Sequence, residues 1–193
     1  IVGVGLNVLM GLTGLVSFGH VGFYAIGAYA TAALSTKLGW GFWWTLPVSV
    51  LITGVLGALL GLVALRVKGP YLAMVTIAFG FVVEFTAVEW EHVTGGQNGL
   101  MNIPYPSLAG WSIGERGVAF AAVLLMLATL VFYKFMVRSS WGLAMRAVRD
   151  SEIAAGSMGV NPLAVRTLAF TLSAVLAGVA GSFYAAATTF VTP

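Results

Sequence analysis

The sequence predicts an all-α integral membrane protein, a polytopic bundle of about six transmembrane helices, some of which can be broken, with a short helix exposed in the cytoplasm. Three observations carry that expectation. Of 193 residues, 60% are hydrophobic and 8% charged, with a mean hydropathy of +0.99. A soluble domain carries about 25% charged residues, so this chain could not cover its own surface in water. The intervals 1–36, 38–65, 69–83, 117–133 and 167–193 contain no Asp, Glu, Lys or Arg. The 25 glycines are too many for water-soluble helices, whereas bilayer helices tolerate glycine and pack closely through it. Soluble-enzyme classes are thereby excluded. The net charge of +3 falls between apolar runs, where topology explains it better than nucleic acid does. The absence of cysteine removes disulfides, thiolate metal sites and cysteine nucleophiles.

Spans are expected near 1–17, 21–36, 45–65, 71–89, 117–136 and 167–190, all in one domain, 1–193. Residues 1–36 are too long for one straight helix. Ser17-Phe18-Gly19-His20-Val21-Gly22 is where they should divide, into two spans or into a re-entrant or broken helix. Trp40, Trp43 and Trp44 beside Lys37 form an interfacial belt ahead of the third span, with Pro47 near its start. Gly57 and Gly61 make a GxxxG, and Ala174/Gly178 and Ala177/Gly181 repeat small residues four apart, a pattern for packing within the bundle. In the fourth span Thr76, Gly80 and Glu84 share a face at i, i+4, i+8 and are candidates for lining a pathway. The competing and preferred reading makes Glu84 an interfacial carboxylate reaching toward Glu89 and Glu91. Residues 92–114 lack charge but carry Thr94-Gly95-Gly96-Gln97-Asn98-Gly99 and Asn102-Ile103-Pro104-Tyr105-Pro106, which is turn chemistry. The chain begins at Ile1 without methionine, residues 1–36 lack the basic region of a signal peptide, and Pro193 has no charged flank; a fragment is expected.

With alternating spans, Arg66, Lys68, Lys134, Arg138, Arg146, Arg149 and Arg166 share one face, and Lys37 and Arg116 the other. That bias places the first face in the cytoplasm, with 137–166 as its largest feature and 91–116 outside. Within 137–166, Ser151 reads as an N-cap with Glu152 in the first turn, Gly159 as a left-handed terminator, and Asn161-Pro162 as the cap and first turn of the next helix. The helix between them has about two turns, roughly 10 Å. Its small residues Ala154, Ala155, Gly156 and Ser157 suit either a partner's grip or packing against the chain's own bundle.

Arg149-Asp150-Ser151-Glu152-Ile153-Ala154-Ala155-Gly156-Ser157-Met158-Gly159 resembles the EAA loop of ABC importer permeases, in which an acid, an alanine pair and a glycine form a coupling helix that docks on an ATPase. Ile153 between the acid and the alanines is similar to the branched-chain amino acid permeases. Gly11-Leu12-Thr13-Gly14-Leu15-Val16-Ser17-Phe18-Gly19-His20 leading to Gly27-Ala28-Tyr29, Lys68-Gly69-Pro70-Tyr71-Leu72-Ala73, Thr94–Gly99, and Leu168–Thr171 through Ala177–Gly181 resemble the LivM type of that family.

The resemblance implies a transmembrane permease subunit in a bacterial inner (plasma) membrane. It would move a branched-chain amino acid or a related solute such as urea or a short amide. Implied partners are a second permease subunit, two cytoplasmic ATPase subunits, a periplasmic or extracellular solute-binding protein and the lipid bilayer, with no nucleic acid. Residues 137–166 would be the coupling loop, with Arg146, Arg149, Asp150, Glu152, Ala154, Ala155 and Gly159 facing ATPase coupling. No cofactor is expected on this chain; ATP and magnesium belong to the partners. Two departures stand out: the family often carries an acid directly after the glycine matching Gly80, where this chain has Phe81, and its permeases continue past the position of Pro193.

An ion-coupled transporter or channel is the alternative, weakened because Glu84 is the one candidate ionisable group within a span. Ser17 and His20 have the types of a nucleophile and base, but nothing supplies a third member or an oxyanion hole. His20 and His92 are expected on opposite faces, against a metal site. The Gly95–Gly99 run lacks the ending of a phosphate loop.

Overall fold

A computed structural model of the chain describes residues 1–64, 70–108, 111–112 and 114–193. Helix α1, Val2–Leu6, runs into a π-helical stretch, Asn7–Leu12. After an irregular segment come α2 (His20–Lys37), α3 (Phe42–Ala64), α4 (Pro70–Glu89) and a single turn, α5 (Glu91–Thr94). Two strands, β1 (Ser107–Leu108) and β2 (Trp111–Ser112), form a minimal antiparallel pair before α6 (Glu115–Arg138). Then follow α7 (Ser140–Asp150), α8 (Glu152–Ser157) and α9 (Pro162–Thr188). Among the described residues α3, α4, α6 and α9 are long and apolar enough to cross a membrane. This is an all-α polytopic membrane protein.

The expected first span over 1–17 ends earlier than its sequence suggests: helical structure stops at Leu12. The cause is local. Thr13 donates its hydroxyl to the Leu9 carbonyl, and Gly14 adopts φ +70°, a conformation that ends a helix. The break therefore falls at 13–19, ahead of the expected 17–22. Helix α2 is 18 residues long, about 27 Å.

Helix α9 is the axis of the bundle, packed against α2 on one side and α3 on the other. Glycines set the spacing: a Cβ on Gly27 would overlap the Gly178 carbonyl, and one on Gly181 the Tyr24 carbonyl, so α2 and α9 meet backbone to backbone. Gly57 and Gly61 of α3 face Ala174 and Thr167 of α9, so this GxxxG serves packing within the chain. At the three-helix junction the Ser49 and Ser182 hydroxyls are 2.8 Å apart, and both lie within hydrogen-bond distance of the Gly27 carbonyl, to which one of them can donate while the other donates to that first hydroxyl. Such hydrogen bonds hold helices where no hydrophobic force between them operates.

The ends differ. At one, Gly95–Gly99 forms a tight turn, and Leu100 exchanges backbone hydrogen bonds of 2.9 Å with Val191, pinning the loop after α5 to the tail after α9. At the other, Val8, Leu9, Leu12, Leu72, Met136, Met145, Val148, Ala155, Val165 and Phe170 form one apolar cluster. It fastens α7 and α8 to the ends of the first helix, α4, α6 and α9. Lys134, Arg138, Arg146, Arg149 and Arg166 lie toward this end and Lys37 and Arg116 toward the opposite one; Arg66 and Lys68 lie outside the described residues.

Candidate functional site

Two features have the makings of a site: the short helix α8 and a cavity beside α4. Helix α8 is bounded as its sequence dictates. The Ser151 hydroxyl accepts from the Ala154 amide at 3.2 Å, satisfying one of the free amides at the helix start. At its end Gly159 adopts φ +84°, Val160 N–H donates to the Ala155 carbonyl at 3.0 Å and Gly159 N–H to the Gly156 carbonyl at 3.1 Å. These are the paired bonds of a Schellman motif, which needs a left-handed residue where Gly159 stands. Asn161 accepts from the amides of Leu163 and Ala164 with Pro162 at the first position of α9.

The two faces of α8 have different fates. Inward, Ala155 is buried in the apolar cluster, and the Glu152 Oε2 accepts from the Arg166 guanidinium at 2.9 Å, tying α8 to α9. Outward, Ala154, Gly156 and Ser157 are exposed, and beside them Ile153 and Met158 are 87% and 84% exposed. The two alternatives left open by the sequence thus divide between faces: Ala155 packs on the bundle while Ala154 stays free. Arg146 donates to the Val137 carbonyl at 2.8 Å and Arg149 to the Gly11 carbonyl at 2.5 Å, each cation capping the end of a preceding helix. Asp150 and Gly159 are exposed.

The cavity, of 610 Å³, lies between α2, α4 and the end of α9. Gly80 and Glu84 line it, together with Phe81, but Thr76 does not. Thr76 is buried against the break instead, where its hydroxyl accepts from Phe18 N–H at 3.1 Å and donates to the Ala73 carbonyl. Glu89 and Glu91 line a separate recess with His92, so Glu84 faces a different space from theirs.

Ser17 and His20 do meet, with 3.2 Å between Oγ and Nδ1. His20 Nε2 contacts the Ser173 hydroxyl, which donates to the Gly5 carbonyl at 2.6 Å. Counting protons orders the chain: Ser173 spends its hydrogen on Gly5, so Nε2 carries the imidazole proton and Nδ1 accepts from Ser17. All three side chains are buried, so the chain braces the break against α9 and α1 and presents no nucleophile to a substrate.

Sequence reasoning missed three residues. Ser173 and Arg166 are partners brought close only by the fold. Tyr29 ends the Gly27-Ala28-Tyr29 stretch, and its polarity in an apolar helix was the available signal; it lines the cavity, 8% exposed, with a phenolic oxygen that has no hydrogen-bond partner among the described residues.

Residues 1–193 match the model of the family described as branched-chain amino acid transport system / permease component. The chain is 39% identical over its full length to the high-affinity branched-chain amino acid transport system permease protein LivM of Salmonella typhimurium and, equally, to that of Escherichia coli. It covers 51% of each, so it spans about half the length of these curated relatives. The nucleoside ABC transporter permease protein NupC of Lactococcus lactis is 28% identical over 90% of this chain and 59% of its own. No solved structure matches. The family match runs from Ile1 to Pro193 and takes in both the capped helix and the broken first helix, and the chain belongs to the permease components of branched-chain amino acid transport systems.

Proposed function

We propose that this chain is the membrane-spanning part of the permease subunit of an ATP-driven importer in a bacterial inner membrane, moving a branched-chain amino acid or a related small solute delivered by an external binding protein. It works with a second permease subunit and two cytoplasmic ATPase subunits, which hold ATP and magnesium. The relatives' names support the solute class. The observation that carries the coupling role is the outward face of α8, where Ile153 and Met158 project from a rigidly capped helix anchored through Ala155 and the Glu152–Arg166 pair. Two large apolar side chains without cover mark an interaction surface. Seated in a cleft of the ATPase, α8 would move as that cleft closes on ATP. Arg166 would pass the displacement to α9, and Arg149 to the end of the first helix. The two access states then differ in their contacts, as ligand-driven switching requires.

The test uses the full-length permease with its partners. Replacing Ile153 and Met158 together by Asp leaves membrane insertion intact but lowers copurification of the ATPase subunits by about tenfold or more, the loss expected when apolar anchors are removed from an interface, and abolishes uptake. Undiminished copurification with normal uptake overturns the reading. Uptake that survives ATP depletion but collapses with the ion gradient would establish the ion-coupled alternative.

A further inference from the structure

We propose that the irregular segment 14–19 runs along the solute path, and that Phe18 on it is the gate closing the cavity between α2, α4 and the end of α9 on the side that carries α8. This rests on the reading of the chain as a permease and adds the residue that blocks passage and the one that moves it.

The first ground is where the segment lies. Leu12, just before it, sits in the apolar cluster with Met145 and Val148 of α7, and a Cβ on Gly14 would stand 3.1 Å from the Arg149 side chain. The segment thus starts at the end that carries α8. It finishes deep in the bundle: Phe18 N–H donates to Thr76, about 9 Å along α4 from Pro70, and His20 meets Ser173, about 16 Å along α9 from Pro162. Between these anchors residues 14–18 are neither helix nor strand, and the carbonyls of Val16, Ser17 and Phe18 accept no hydrogen bond among the described residues. Bare peptide groups at that depth cannot face lipid; they are tolerated where protein buries them or where they line a water-filled cavity. The side chains alternate. Ser17 is buried, whereas Val16 and Phe18 on either side of it are exposed, Phe18 by 60%.

The second ground is what Phe18 closes. It lines the cavity of 610 Å³ with Val21 and Gly22 of α2 and Ile77 and Phe81 of α4, and the same cavity reaches Val191, which pairs with Leu100 at the opposite end of the molecule. Phe18 is therefore its floor. The third ground is a lever. Arg149 of α7 donates to the Gly11 carbonyl and lays its stem beside Gly14, while Thr76 and the Ser17–His20 contact hold the other end of the segment. A shift of α7 is delivered to the start of the segment and changes its course past the cavity, which is how a small displacement can open a gate.

The experiment uses the full-length permease with its ATPase subunits and binding protein in proteoliposomes, with all other cysteines of the complex replaced by serine. This chain has none of its own, so Phe18→Cys introduces a single reporter. Leu127→Cys, on the exposed apolar face of α6, is the lipid-facing control. The measurement is the rate of modification by a charged, membrane-impermeant methanethiosulfonate. A thiol reacts as its thiolate, which forms in water and not in apolar surroundings, so Phe18→Cys should react about tenfold or more faster than Leu127→Cys. Trapping the ATPases with ATP and vanadate should change that rate severalfold, and adding Arg149→Ala should abolish the change while ATPase copurification persists. Where Phe18→Cys does not assemble, Val16→Cys on the same side of the segment takes its place. Modification no faster than the control overturns the proposal, since lipid or protein then covers the segment. A rate indifferent to nucleotide overturns the gate, and a nucleotide response that survives Arg149→Ala overturns the lever. A parent complex that retains no ATPase overturns the importer reading instead, and shows it before any thiol is labelled.

Discussion

Ser173 shows how one hydroxyl can hold a break in place. It accepts from His20 Nε2 and donates to the Gly5 carbonyl, so Ser173→Ala strands two buried polar groups at once. Each uncompensated group costs about 1–3 kcal/mol. The solubilised Ser173→Ala protein should therefore unfold at a lower temperature than the parent while inserting normally; a transition unchanged within a degree or so would remove this role. Ser173→Thr keeps the hydroxyl and is the matched control. At this scale the sequence was legible wherever partners are neighbours along the chain. Ser151, Gly159 and Asn161 cap where their types and spacing placed them, because a cap is a local bargain between a side chain and the next few amides. The partners of His20 and Glu152 were not legible, since 153 residues separate His20 from Ser173 and 14 separate Glu152 from Arg166.

Among elements, the long helices follow their charge-free intervals because the bilayer leaves little alternative to a helix for an apolar run of that length. The first helix departs from expectation because hydropathy records how apolar residues are and not how Thr13 and Gly14 end a turn. The glycine pattern was read correctly as packing, and two substitutions separate its kinds. Gly27→Leu drives a side chain into the Gly178 carbonyl and must push α2 from α9, so folded protein should fall sharply in a size-exclusion assay. Gly156 is also helical, but a Cβ there meets nothing within 4 Å. Gly156→Ala should leave the fold intact, with a gain of up to about 1 kcal/mol from helix propensity. Equal damage from both would mean that the α2–α9 contact does not set the spacing.

Across the whole molecule the gathering of Lys134, Arg138, Arg146, Arg149 and Arg166 toward one end was legible from the charge pattern, and what the sequence withheld is how α8 is joined to the rest. An apolar cluster reaching the π-helical stretch Asn7–Leu12, α4, α6, α7 and α9 makes the end that carries α8 a single packed block, and the Glu152–Arg166 pair is its one salt bridge among the described residues. The family resemblance places Glu152 at the ATPase; the geometry turns it inward, toward α9. These roles predict different outcomes for a charge exchange. If Glu152 acts through Arg166, then Glu152→Arg and Arg166→Glu each slow uptake while ATP hydrolysis continues, because α8 still docks but no longer drags α9. Combining them restores the attraction with reversed polarity and recovers a substantial part of the uptake, a coupling between neighbours that a double-mutant cycle detects. If Glu152 instead contacts the ATPase directly, the combined variant fares no better than Glu152→Arg alone, since a reversed charge still faces the partner. Measuring uptake per ATP hydrolysed in the four proteins distinguishes the two. Half-exposed Glu152 makes the pair sensitive to screening, so the rescue should be strongest at low ionic strength and fade as salt is raised.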